Sequence, residues 1–340
     1  MSQAVSFLAL SLLLILISAE GFTNAIEALG RRFSFSQAIV GNIFAAVGTA
    51  LPETILPFVA IFFGRHEAAK DIGLGAILGA PLMLATVAFF LLGLTVMITS
   101  LRTHRAPVLN VELGPLKRDL SFFIIMFSTA VFLPALAGRW CVVPLSIGLV
   151  CGYVYYVFLT SKEESAPIEH LEGLHFLTLH NKVRRKQYLK AHSTLIFLQI
   201  VASLLVMVVG AQIFVKNLEV VSLRLGMSPL LFALLLAPVA TELPEKFNSV
   251  NWALKGKDAL ALGNITGAMV FQATFPVSLG LLFTQWNITG MALLATLLAI
   301  VSAVIVLVTV IVNRSLSAGV MVFAGSLYVF YALILIFHGR

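Results

Sequence analysis

The heptapeptides 47-VGTALPE-53 and 239-VATELPE-245 stand 192 positions apart and differ at only two positions. When the chain is laid over itself at that offset, Glu27 falls on Glu219, Arg32 on Arg224, Ser36 on Ser228 and Ala45 on Ala237. Leu and Ala coincide by chance in any two apolar segments, but a shared Thr-x-Leu-Pro-Glu with matching charges outside it does not. The agreement resumes at an offset of 188, where Gly75, Gly79 and Ala80 meet Gly263, Gly267 and Ala268. Four residues were gained in the first copy or lost in the second. The chain therefore contains an internal repeat.

Around the two copies, 60% of the 340 residues are hydrophobic and 11% are charged, whereas soluble domains run at roughly 45–50% apolar and about 25% charged. That composition excludes an ordinary soluble domain. A membrane helix takes about 20 mostly apolar residues. Runs bounded by charges, Gly or Pro predict ten of them, at about residues 2–19, 36–63, 72–99, 120–138, 141–160, 194–215, 229–254, 258–283, 288–312 and 317–338. The first has no basic residue ahead of its apolar stretch and no A-x-A-like cleavage site, so it reads as a retained helix and not a signal peptide. The expected fold is all-α: a polytopic membrane protein of ten transmembrane helices, residues 1–160 and 194–340 forming two five-helix repeats on either side of a 161–193 loop.

The net charge of +7 does not imply a nucleic acid partner, because the basic residues sit in short segments between apolar runs, where they set orientation. Across alternating loops, 15 of the 22 Lys and Arg fall on one side and six on the other, with Lys246 inside a span. The richer side is expected to be cytoplasmic. That puts the protein in the cell (inner) membrane with the 161–193 loop inside and both termini outside. Cys141 and Cys151 share one apolar stretch with no companion ligands and read as packing residues.

An odd number of helices separates the two copies, so one enters the membrane from each side. This is the arrangement of inverted-topology repeats, which place a substrate site at their interface near the bilayer midplane. Proline removes a backbone hydrogen bond and frees the carbonyl four residues earlier, here Gly48 for Pro52 and Ala240 for Pro244. These carbonyls, the hydroxyls of Thr49 and Thr241 and the carboxylates of Glu53 and Glu245 offer only oxygen, which suits hard cations such as Ca²⁺ or Na⁺. Each Thr–Glu pair is four residues apart and shares one helix face. Glu242 adds a third acid in the same turn. A carboxylate at bilayer depth costs several kcal/mol unless paired, hydrated or neutralised, which makes each a functional candidate. Lys246 either neutralises Glu242 one turn earlier or reaches toward lipid headgroups.

The two heptapeptides resemble the signature repeats of the cation/Ca²⁺ exchanger superfamily, whose sodium/calcium exchanger branch carries a G-T-S-L-P-E-like sequence in each half. The stretches 71-DIGLGAILGAP-81 and 258-DALALGNITGAM-269 resemble its second signature, a D-I-A-L-G-N-x-x-G-S-N-like run. The resemblance spans both repeats. It implies alternating access, export of Ca²⁺ against Na⁺ or H⁺, and metal ligands from Thr49, Glu53, Thr241 and Glu245. This chain departs from the pattern at Pro81 and Met269, where the family has an Asn or Asp, and at Ala50 and Glu242, where it has Ser. Asn42, Asn264 and Gln272 are candidate polar groups near the site, with helix–helix hydrogen bonding as the alternative role for each. Glycines 73, 75, 79, 263 and 267 are expected to let helices pack closely behind it.

Glu163, Glu164, Glu169, His170, Glu172, His175 and His180 precede a basic run through Lys190. The histidines recur every five residues and do not share a helix face as ligands four apart would. The segment reads as an amphipathic stretch on anionic lipid. No organic cofactor and no covalent chemistry are expected, and no H-E-x-x-H occurs. The function expected is a secondary active cation antiporter exporting Ca²⁺ in exchange for Na⁺, with an H⁺-coupled exchanger as the alternative and a cation channel as the rival class. Its expected partners are the lipid bilayer and the transported ions.

Overall fold

The computed structural model describes residues 2–32, 45–64, 66–103, 106–161 and 193–338. Among them the secondary structure is helical apart from one isolated bridge between Val108 and Ser317. The helices are α1 (Ser2–Arg32), α2 (Ala45–Phe63), α3 (Glu67–Met83), a π turn (Leu84–Ala88), α4 (Phe89–Thr103), α5 (Leu113–Ala137), a 3₁₀ turn (Arg139–Cys141), α6 (Val142–Thr160), α7 (Ser193–Arg224), α8 (Pro229–Leu254), α9 (Asp258–Gln272), α10 (Phe275–Phe283), α11 (Gly290–Asn313) and α12 (Ala318–His338).

Eight helical stretches among the described residues are long and apolar enough to cross a membrane, and Glu53–Phe63 and Pro229–Val239 form two shorter apolar helices. In the second case the shortfall has a physical cause: Glu242, Glu245 and Lys246 stand in the body of α8 and break its apolar run. Large apolar side chains such as Leu136, Val312 and Phe337 are more than 70% exposed, the surface expected of an integral membrane protein whose solvent is hydrocarbon.

The 36-residue stretch from Glu67 to Arg102 is one continuous span, and α1 runs 13 residues past the end expected for it at residue 19. Pro52 and Pro244 do not interrupt their helices, because α2 and α8 run through both. A proline removes only one hydrogen bond, and neighbouring groups re-satisfy the freed carbonyl. The interruptions fall later, after the second signature in each copy. The π turn at 84–88 and the break at Ala273–Thr274 are equivalent positions at the offset of 188. Thr86 Oγ1 donates to the Leu82 carbonyl and Thr274 Oγ1 donates to the Val270 carbonyl at 2.8 Å, so the two copies make the same local bond. Helix distortions of this kind concentrate at functional sites.

Two large apolar cores and a small one at Ala25, Ala28 and Ile196 result among the described residues. Of the large ones, one joins α3–α6 to α8–α12; the other lies between α1, α2, α3, α7 and α8. The helix of the first copy's second signature, α3, packs on the helix of the second copy's heptapeptide, α8. Glycine makes this approach possible: a Cβ at Gly75 would stand 2.2 Å from the Leu230 carbonyl oxygen and one at Gly79 2.1 Å from that of Leu234. The second copy does not repeat this. Among the described residues no atom lies within 4 Å of a Cβ placed at Gly263, and at Gly267 the nearest is the Tyr156 hydroxyl at 3.7 Å. The close packing expected at all five glycines is therefore not seen at these two among the described residues, where no backbone approaches α9 as α8 approaches α3. Cys141 is buried, as expected of a packing residue, but Cys151 is exposed, since α6 turns much of its surface outward.

Among the described residues, several connecting segments bond to one another. Residues 106–112 bond to 316–318 and to Asp258, through Leu109 N to Leu316 O at 2.9 Å and Asn110 N to Asp258 Oδ2 at 3.0 Å. Elsewhere, Arg139 Nη1 donates to Gln285 O at 3.5 Å.

Candidate cation site

Glu53 lies on α2, 7% exposed, and Gln272 lies at the end of α9, 1% exposed. Gln272 Nε2 donates a hydrogen bond to Glu53 Oε2. The first heptapeptide and the helix that carries the second copy's second signature therefore meet through side chains, although 219 positions separate Glu53 from Gln272. Thr241 is half-buried on α8 and its hydroxyl donates to the Ala237 carbonyl at 3.1 Å, which leaves oxygen lone pairs for another partner. Glu242 and Lys246, one turn apart on α8, are completely buried at 0% and 1%. That burial decides against a Lys246 stem reaching for headgroups.

Helices α8 and α9 form a hairpin closed at residues 255–257, where Gly256 adopts φ +75°. Its register is fixed by Asn264 Nδ2, which donates to Ser249 Oγ at 3.1 Å. Both helices rise about 1.5 Å per residue, so stepping back from Ser249 and forward from Asn264 sets Lys246 level with Gly267 and Glu242 level with Phe271. Glu242 thus stands at the height where Gln272 meets Glu53.

Thr49 and Glu245 lie in the helical backbone of α2 and α8, but their side chains, like Asn42 and the whole 162–192 segment with its histidines, fall outside the described residues. Among the described residues no three His, Cys, Asp or Glu side chains gather. What the structure brings together is the Glu53 carboxylate and the Gln272 amide. Pro81 and Met269 are both buried and carry no side-chain oxygen; the polar group that reaches Glu53 comes from Gln272, three residues past Met269.

A second polar cluster holds α9 from behind. Asp119 on α5 is buried, and its Oδ1 accepts from Arg118 Nη2 at 3.1 Å. Its Oδ2 accepts from Thr266 Oγ1 at 2.7 Å. The Tyr156 hydroxyl also donates to Asp119, and the Arg118 guanidinium lies 5.5 Å over the Tyr156 ring. Sequence reasoning passed over Asp119 because it sits one residue before a span; an acid at that position beside Arg118 was the available signal. Away from this cluster, a cavity of about 650 Å³ is lined by Val59, His66, Gln212, Lys216 and Glu219 among others. It lies between α2, α3 and α7, with Val59 six residues beyond Glu53 on the same helix.

The chain matches the family model described as sodium/calcium exchanger protein over residues 3–162 and 195–337. It is 25% identical to the inner membrane protein YrbG of Escherichia coli (strain K12) over 292 residues, covering 86% of this chain and 83% of that protein. The fold is similar to the crystal structure of the H⁺/Ca²⁺ exchanger CAX, with a TM-score of 0.70 at 17% identity over 99% of this chain and 82% of that one. It is also similar to the sodium-calcium exchanger NCX_Mj, with a TM-score of 0.55 at 18% identity over 99% and 98%. The two matched blocks take in both heptapeptides and everything but the segment between the halves, so the chain belongs to the sodium/calcium exchanger protein family.

Proposed function

We propose that the protein is a secondary active antiporter that exports Ca²⁺ in exchange for Na⁺ by alternating access. The observation that carries the reading is the buried bond between Glu53 and Gln272, which joins the two copies at a carboxylate in the interior of a membrane protein. Such a carboxylate is retained because it works on ions. In this reading Thr49, Glu53, Thr241, Glu242 and Glu245 supply oxygens to one cation site at the meeting of α2, α8 and α9. Ten spans in two inverted five-helix repeats, residues 1–160 and 194–340, surround it. In this reading the cavity beside His66 and Glu219 lies on the external side of the site, and the 161–193 loop is cytoplasmic.

Glu242 favours a second reading for the driving ion. A carboxylate stands where the family has a hydroxyl, and side-chain oxygens are missing at Pro81 and Met269, so protons can replace Na⁺ as the exchanged ion. Ca²⁺ uptake by vesicles containing the purified protein, under Na⁺ and pH gradients imposed separately, decides between the two. Uptake driven by Na⁺ alone supports the first, uptake driven by pH alone supports the second, and flux that never saturates supports a channel.

A further inference from the structure

Residues 120–160 and 259–313, which carry most of α5 and α9 and all of α6, α10 and α11, contain one charged residue, Arg139. It stands at one end of the bundle, where α5 and α10 stop and α6 and α11 start. Its guanidinium donates to the Gln285 carbonyl at 3.5 Å, and among the described residues it forms no ion pair. A guanidinium has five N–H donors, so most of them remain for another partner. Beside it opens a cavity of about 550 Å³, walled by Pro134, Val142 and Ile288 and edged by Asn287 and Thr289. The loop that closes the cavity is held by Trp286, which is buried, donates from Nε1 to the Ala130 carbonyl at 2.9 Å and keeps φ +48°.

The surface next to this cavity is apolar: Leu136 is 85% exposed and Trp140 77%. A Trp at the end of a span belongs at the headgroup level of a bilayer. From there Val143, Ile147 and Val154 form one exposed stripe along α6. The stripe is about 16 Å long, half of the ~30 Å hydrocarbon core.

We propose that the cavity binds one anionic phospholipid, whose phosphate pairs with Arg139 and whose acyl chain lies along the α6 stripe. Asn287 and Thr289 offer an amide and a hydroxyl to the headgroup. The counter-charge comes from outside the protein, because the segments that build the cavity contain no acid. A zwitterionic headgroup brings its own cation to the phosphate, whereas phosphatidylglycerol leaves the phosphate to Arg139. The site is independent of which cation the protein carries.

The test places the purified chain in nanodiscs of equal phosphatidylglycerol and phosphatidylcholine and reads the retained lipid by native mass spectrometry. One base at the membrane surface gives a preference of about fivefold, the factor corresponding to ~1 kcal/mol. Wild type is expected to keep one phosphatidylglycerol over phosphatidylcholine by about that factor, and millimolar inorganic phosphate is expected not to displace it. Arg139→Gln is expected to lose the preference and Arg139→Lys, which keeps the charge, to retain most of it. Arg102→Gln, which removes an exposed base in the last turn of α4, is expected to leave the preference unchanged.

Equal retention of the two lipids by the wild-type protein overturns the inference without recourse to any variant. An unchanged preference in Arg139→Gln overturns it as well. An equal loss in Arg102→Gln reduces the effect to a general attraction between basic residues and anionic lipid, and displacement by inorganic phosphate assigns the cavity to a free anion; either result overturns the lipid site.

Discussion

Gln272 and Glu53, 219 positions apart in the chain, share a buried hydrogen bond that joins helix α9 to helix α2. An amide donating to a carboxylate oxygen fixes the orientation of that carboxylate, which the antiport reading assigns to the cation site. Outer partners that orient a ligand contribute about 10–100-fold to metal affinity. Gln272→Ala is therefore expected to raise the half-saturating Ca²⁺ concentration by that factor, and Gln272→Glu to alter the preference between monovalent and divalent cations. Both are read from flux against cation concentration; unchanged affinity in Gln272→Ala would remove the amide from the site.

Glu53→Gln and Glu245→Gln are each expected to abolish Ca²⁺ transport while leaving a folded, monodisperse protein. The substitution keeps size and shape and deletes the charge that holds the ion. Near wild-type flux in either variant would contradict the pairing of these two positions across the repeat.

Thr266→Val takes one hydrogen bond from the buried Asp119 carboxylate. A buried acceptor left short of a partner costs about 1–3 kcal/mol. Thermal unfolding in detergent should show the loss, with Thr266→Ser close to wild type. Equal stability of the Val and wild-type proteins would mean that Arg118 and Tyr156 alone satisfy Asp119.

The 161–193 loop is expected to be cytoplasmic and both termini external. A cysteine placed at residue 180 should resist an impermeant reagent added outside, while one added at the C-terminus should react. The opposite pattern reverses the orientation, which rests on 15 basic residues against six.

Much of the fold was legible because a membrane imposes length and apolarity on every span, and because a repeat is visible without any structure. Glu53 and Glu242, two acids of the proposed site, were legible as acids in apolar runs. Less legible was where the helices bend. Proline marked Pro52 and Pro244, yet the distortions follow the second signatures, at Leu84–Ala88 and Ala273–Thr274, where threonine hydroxyls compete for backbone carbonyls. Sequence spacing also could not say which partner a polar residue takes. Asn264 bonds Ser249 within its own hairpin, whereas Gln272 crosses to the other copy. Asp119 escaped notice because its partners, Thr266 and Tyr156, are 147 and 37 positions away.

The most direct test of a Ca²⁺ antiporter built on Glu53 is Ca²⁺ uptake by proteoliposomes under a Na⁺ gradient and, separately, a pH gradient, for wild type and Glu53→Gln side by side. The account predicts saturable uptake in wild type that collapses when the driving gradient is removed, and none in Glu53→Gln. Uptake that does not saturate, that persists without a counter-ion gradient, or that survives the loss of the Glu53 charge would contradict it.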